Sequence, residues 1–147
     1  MESQFGFLVS QIKQISGRIF DKILAEKNID AFNGAQGRIL YVLWNNDGIS
    51  LKELSDKTGL APTTLTSMVD RMEKSGLVHR NADKVDRRKI LLCLTNKARG
   101  LKTEYDSVAN KMTGIHFKDF TETEVSELER YLTRVLNNIN DYAEHKE

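Results

Sequence analysis

Leu8, Ile12, Ile15, Ile19 and Ile23 recur at steps of three and four along a stretch that also carries charges. That spacing puts all five on one face of a helix. Phe5, Phe20 and Leu24 widen the stripe, and the helix is predicted to end near Lys27 and Asn28. A second helix is predicted after Asn33, with Ile39, Leu40, Leu43 and Trp44 inward, stopping before Asp47-Gly48. Ile49 is a short apolar link that can pair one residue or two with later strands. Leu51 to Thr58 reads as a short helix whose core contacts are Leu51, Leu54 and the following Leu60. Pro62 to Ser75 reads as another, buried through Leu65, Met68, Val69 and Met72. Leu77-Val78 and Ile90 to Leu94 read as two strands around a polar connection. A long helix is predicted from an N-cap at Thr95 through about Ile115. A last helix places Val125, Leu128, Leu132, Val135, Ile139 and Tyr142 at alternating steps of three and four. So strict an alternation marks a coiled-coil seam more than a broad globular stripe.

Element ends are written as clearly as the stripes. Ser50-Leu51-Lys52-Glu53 and Thr121-Glu122-Thr123-Glu124 are capping boxes, in which the hydroxyl takes an amide hydrogen and the Glu reaches back. Gly59-Leu60-Ala61-Pro62 ends one helix with Gly and starts the next with Pro. The charged end Glu144-His145-Lys146-Glu147 is expected to fray.

The outer face of the Pro62 to Ser75 helix carries Thr63, Thr64, Thr66, Ser67, Asp70 and Arg71. It is short, polar and uncluttered, as an element entering a DNA groove must be. Hydroxyls there can bond base edges or phosphates, and Thr methyls can touch thymine. Thr63, Ser67 and Arg71 fall on one line, and Pro62 with the first-turn amides can receive a phosphate. A helix-turn-helix followed by a basic hairpin suits gripping a duplex.

Charge sharpens this picture. The whole chain has 147 residues and a net charge of +1, which says nothing about nucleic acid. Between Arg71 and Lys102, however, ten Lys or Arg stand against three acids, a balance of +7. From Lys118 to Glu147 four cations stand against eight acids, a balance of −4. One lobe is basic and the other acidic, the footprint of a duplex binder. The length suits one protomer that buries roughly 70% of its unfolded surface without staples. Cys93 is the one cysteine, so no internal disulfide forms, and a reducing cytosol fits. Beside Leu92 and Leu94 it is expected to be a buried small hydrophobe. There is no apolar run of about 20 residues to span a membrane, and Met1-Glu2-Ser3-Gln4 lacks the basic start of a secretory signal. A cytoplasmic location without membrane attachment is expected.

The run Thr63 to Arg80, the motif Asp86-Arg87-Arg88 and the closing Leu94-Thr95 resemble the MarR family of bacterial winged helix-turn-helix regulators. The order of elements fits on both sides, so the resemblance covers nearly the whole chain. It implies a mainly α fold with a winged helix-turn-helix, a small β-hairpin wing, and terminal helices forming a dimerisation lobe. The lobes would be an N-terminal dimerisation helix over 1–32, a DNA-binding winged helix-turn-helix over 33–98, and C-terminal dimerisation helices over 99–147. The dimer seam would use Leu8, Ile12, Ile15, Val125, Leu128, Leu132, Val135 and Ile139. Arg88 occupies the Arg position of the family's wing motif, and a guanidinium there can enter a narrow minor groove. Asp86 would orient it or hold the wing closed, and Arg87 and Lys84 would meet phosphates. Many members carry a long basic residue where this chain has Ser67. The resemblance further implies a pseudo-palindromic duplex operator, a repressor or less often an activator, and in many members a small aromatic or anionic effector that releases DNA. Phe7, Phe32 and Tyr41 come from the helices that would flank such an effector, although core packing is the first expectation for each. Some members sense peroxide through an N-terminal cysteine, which this chain lacks.

Other readings have less behind them. No glycine-rich phosphate loop, nucleophile with a base, or paired carboxylates point to an enzyme. His79, His116 and His145 lack ligand spacing, so neither a metal nor a cofactor is expected. A winged helix that binds only protein would be expected to expose aromatic or aliphatic anchors where this chain shows hydroxyls. The reading is therefore a sequence-specific homodimeric DNA-binding regulator, with the protein-interaction module as the alternative.

Overall fold

The computed structural model describes residues 1–145. Its elements run α1 (Phe5–Glu26), α2 (Gly34–Asn45), β1 (Ile49–Ser50), α3 (Leu51–Thr58), α4 (Pro62–Lys74), β2 (Val78–Ala82), β3 (Ile90–Leu94), α5 (Asn96–Gly100), α6 (Lys102–His116) and α7 (Glu122–His145). The fold is mainly helical with one small antiparallel sheet of order β1-β3-β2. β3 is the central strand: Leu92 sits opposite Ile49 on one side and Arg80 on the other.

The core lies where α2, α3, α4 and the sheet meet. Ile39, Leu40, Leu43, Leu54, Leu65, Val69, Met72 and Leu77 are fully enclosed, and Val78, Leu92 and Leu94 are nearly so. Each such aliphatic stabilises the fold by about 1.5–3 kcal/mol relative to exposure. This buried set fixes the inner face of α4 and thereby leaves its polar face outside.

The turn between α3 and α4 is tied locally. Gly59 takes φ 75° and donates its N–H to the Ser55 carbonyl, closing α3 in a conformation that disfavours a side chain. The Ser55 hydroxyl donates to the Leu60 carbonyl at 2.6 Å, and the Thr58 hydroxyl accepts from the Leu60 N–H at 3.2 Å. Gly76, at φ 77°, turns the chain from α4 into β2.

Several expectations need correction. The helix predicted from Asn96 through Ile115 is two helices, because Leu101 N–H bonds back three residues to Ala98 rather than four. Thr95 does cap the first of them, accepting from Ala98 N–H at 3.1 Å. The first wing strand starts at Val78 and runs on to Ala82. At Ser50 the box is incomplete: the hydroxyl accepts from Glu53 N–H, but the Glu53 carboxylate accepts from that hydroxyl instead of the Ser50 N–H. The reciprocal box at Thr121 and Glu124 is complete. A further one, Asn33 with Gln36, opens α2. Cys93 is half-buried, since strand alternation turns it to the face opposite Leu92 and Leu94. At the C-terminal end the helix persists through His145, while Lys146 and Glu147 lie outside the described residues.

By packing, the chain divides into two compact units, Met1–Asn110 and the segment from Lys111 onward. In the second unit α7 has 24 residues and none of them is buried. No helix among the described residues is long and apolar enough to cross a membrane.

Candidate nucleic-acid interface

The outer face of α4 is presented as the stripe demands. Pro62 opens the helix at its first turn, after an N-cap Ala61 that offers no side-chain acceptor to the first-turn amides. Thr63, Thr64, Thr66, Ser67, Asp70 and Arg71 are all exposed. The Thr66 hydroxyl donates to the Pro62 carbonyl at 2.8 Å, so its proton is committed and it faces solvent as an acceptor. At the other end, Lys97 donates to the carbonyl of Ser75, the C-cap, where a cation complements the helix dipole.

The wing tip is built by two aspartates. Asp83 N–H donates to the Lys89 carbonyl and Lys89 N–H to the Asp86 carbonyl, both at 2.9 Å. The Asp83 carboxylate accepts from Val85 N–H at 3.0 Å, a local turn of the kind Asp favours. The Asp86 carboxylate accepts from Arg88 N–H and from its guanidinium Nε, each at 3.1 Å. These bonds hold the Asp86 carboxyl below its ordinary 3.8, chiefly through the guanidinium and then through the backbone amide. Both acids are thus spent on the loop, and Lys84, Arg87, Arg88 and Lys89 point to solvent. The Arg88 side chain is 91% exposed despite its tie to Asp86. Asp86 therefore both closes the tip and restrains Arg88.

One contact escaped the sequence reading, in which Arg80 was only one cation of the basic run. From β2 its Nη2 donates to Asp70 Oδ1 at 2.7 Å and its Nη1 to Glu73 Oε1 at 2.6 Å. Both acceptors belong to α4. The Asp70 hydrogen bond is the largest cause raising the Arg80 pKa above its ordinary value. Strand alternation places Arg80 on the same side as Val78, which was the available sequence signal.

The residues expected at a dimer seam fall on two faces, one on α1 and one on α7. On α1, Leu8, Ile12 and Ile15 are exposed, whereas Ile23 and Leu24 are buried. On α7, Leu128, Leu132 and Ile139 are exposed and Val125 and Val135 half-buried. The aromatics weighed for an effector separate. Phe7 is exposed, Phe32 is buried, and Tyr41 is half covered. Phe32 and Tyr41 lie about Tyr105 with ring centroids 6.3 and 6.0 Å away, together with Phe20 and Trp44. Burial raises the Tyr105 pKa.

Comparison with known proteins agrees with this fold. The model of the MarR family matches residues 32–90, the span from the start of α2 to the far side of the wing. The HTH-type transcriptional regulator TtmR of Methylorubrum extorquens (strain PA1) is 34% identical over 115 residues, which are 78% of this chain and 57% of TtmR. The chain thus spans little more than half the length of that relative. Among solved structures, a MarR cysteine-to-serine mutant from E. coli complexed with operator DNA superposes with a TM-score of 0.77 at 25% identity, over 89% of this chain and 92% of that one. CouR from Rhodococcus jostii RHA1, bound to p-coumaroyl-CoA, shares the fold with a TM-score of 0.78 at 23% identity, over 90% of this chain and 92% of that one.

Proposed function

We propose that the chain is a member of the MarR family and a sequence-specific double-stranded DNA-binding transcriptional regulator working as a homodimer in the cytoplasm. The observation that carries the reading is the pairing of an exposed hydroxyl-rich α4 face with a wing tip whose acids are internally bonded and whose cations point outward. Pro62, Thr63, Thr64, Thr66, Ser67 and Arg71 would meet the major groove and its phosphates. Lys84 and Arg87 would neutralise phosphates, and Arg88, steered by Asp86, would enter the minor groove. The E. coli relative is seen with operator DNA, which supports the same use of this fold here.

Dimerisation follows from covering. A helix of 24 residues with none buried lacks the packed apolar face from which most helical stability in proteins comes. A second copy supplies a matching apolar face for α7, and Leu8, Ile12 and Ile15 on α1 ask for the same. Two recognition helices related by a two-fold axis would read a pseudo-palindrome whose half-sites lie about one helical turn, ~34 Å, apart. We retain the division into 1–32, 33–98 and 99–147 on this functional ground. Repression relieved by a small-molecule effector is the regulatory mode we favour. The protein-interaction alternative lacks support, because the outer face of α4 carries no aromatic or aliphatic anchor.

Incubating the purified chain with fragmented genomic DNA and footprinting what it retains tests this function. Discrete protected sites with two-fold symmetry are expected. Equal retention of all fragments, or of none, would refute it.

A further inference from the structure

Arg80 stands apart from the other cations of the basic lobe. Its side chain is only 30% exposed and both of its terminal nitrogens are committed to carboxylates of α4. Those carboxylates are themselves unusual. Asp70 lies on the same exposed side of α4 as Thr66 and Ser67, four and three residues before it, and Glu73 follows one turn later. Unpaired acids there would face the phosphates that the helix approaches, and like charges across an interface oppose binding. We propose that Arg80 is a positioning residue for DNA reading. Its guanidinium, forked between Asp70 and Glu73, neutralises the acids of the recognition helix and fixes the wing strand to that helix. The inference rests on the DNA-binding reading above and deepens it.

Two properties suit arginine to this role. Its planar fork donates to two acceptors at once, and its charge persists at any physiological pH. The bonds join β2 to α4 across the Gly76 turn, so the element that carries the wing cannot slide along the helix while they hold. Such a tie gives the helix and the wing one fixed spacing before DNA arrives, which lowers the ordering cost of binding.

Operator fragments recovered by footprinting serve as the probe. Arg80→Ala and the milder Arg80→Gln should keep the fold and the dimer, checked by circular dichroism and sedimentation, and lose roughly tenfold or more in affinity. The decisive variant adds Asp70→Asn and Glu73→Gln to Arg80→Ala. Removing the exposed acids should recover most of the lost affinity, although the cation is still missing. Absence of any loss in Arg80→Ala and Arg80→Gln overturns the proposal. So does a loss without recovery in the triple variant, accompanied by a fall of about 0.9 in the log affinity against log salt slope, which identifies Arg80 as a direct phosphate contact. Failure of the parent chain to bind any duplex would overturn the DNA-binding reading and this proposal with it, and is read from the parent alone.

Discussion

The carboxylate of Asp86 accepts from both the backbone N–H and the Nε of Arg88, at 3.1 Å each, two residues along the same loop. An acid inside the basic tip is thereby turned into a support. It aims the guanidinium and gives up its own lone pairs, so the tip presents cations without a competing anion.

The tie has a defined pH range. A carboxyl lowered in the folded chain contributes fully above its ordinary value, and that contribution is lost as pH falls through the lower folded value. For Asp86 the ordinary value is 3.8, and the folded one lies beneath it. Acid titration followed at the Asp86 carboxyl carbon by NMR should give a midpoint below 3.8 while the fold persists. A midpoint at or above that value would mean that the bond to Arg88 is not made in solution.

The proposed dimer seam is open to direct attack. Leu132 is exposed and Val135 half-buried, one turn apart on a helix with no buried residue. Replacing both with Glu sets like charges against each other in a two-fold seam. Sedimentation should then report a monomer or an unfolded chain. A stable dimer with unchanged mass would remove this face of α7 from the interface.

The parts of the fold written in local chemistry were legible in the sequence. α3 occupies Leu51–Thr58 as predicted, because Ser50 caps one end and Gly59 the other. The inner face of α4 follows Leu65, Val69 and Met72 because burial selects them by spacing alone. The break at Leu101 was missed: Lys and Arg around Gly100 are good helix formers, and the change from a four-residue to a three-residue bond depends on tertiary fit. β2 was cut short since His79, Arg80 and Asn81 are polar, and an edge strand with one wet face needs no apolar run. The contacts of Arg80 were illegible for a stronger reason. Its partners stand seven and ten residues back, and only the turn at Gly76 brings them opposite. At the wing, Asp86 and Arg88 were legible through the resemblance, whereas the turn made by Asp83 was not seen.

Salt dependence separates the phosphate contacts. If several phosphates are neutralised per protomer, log affinity falls linearly with log salt, by about 0.9 for each. Arg87→Ala and Lys84→Ala should each weaken operator and non-operator duplexes alike. Each should also reduce the slope by about one where it removes a phosphate contact. Binding that ignores salt would take the basic lobe out of the interface.

Arg88→Ala separates minor-groove reading from fold and assembly. The side chain is 91% exposed and its guanidinium bonds to Asp86 two residues before it, so thermal unfolding and the mass of the assembly should not change. Affinity for the operator should drop by about 1–3 kcal/mol if the guanidinium makes a groove contact comparable to direct base reading. The loss should be largest at operators with A·T-rich flanks, whose narrow minor groove concentrates negative potential and attracts a guanidinium. Ser67→Ala and Arg71→Ala act on the α4 face instead, and should alter preference at the centre of each half-site while leaving the flanks alone. A library with randomised flanks and half-site centres, measured quantitatively with each variant, separates the two patterns. Equal binding of every member by Arg88→Ala and the parent would remove Arg88 from the interface and leave the wing as a scaffold for its neighbours Lys84 and Arg87.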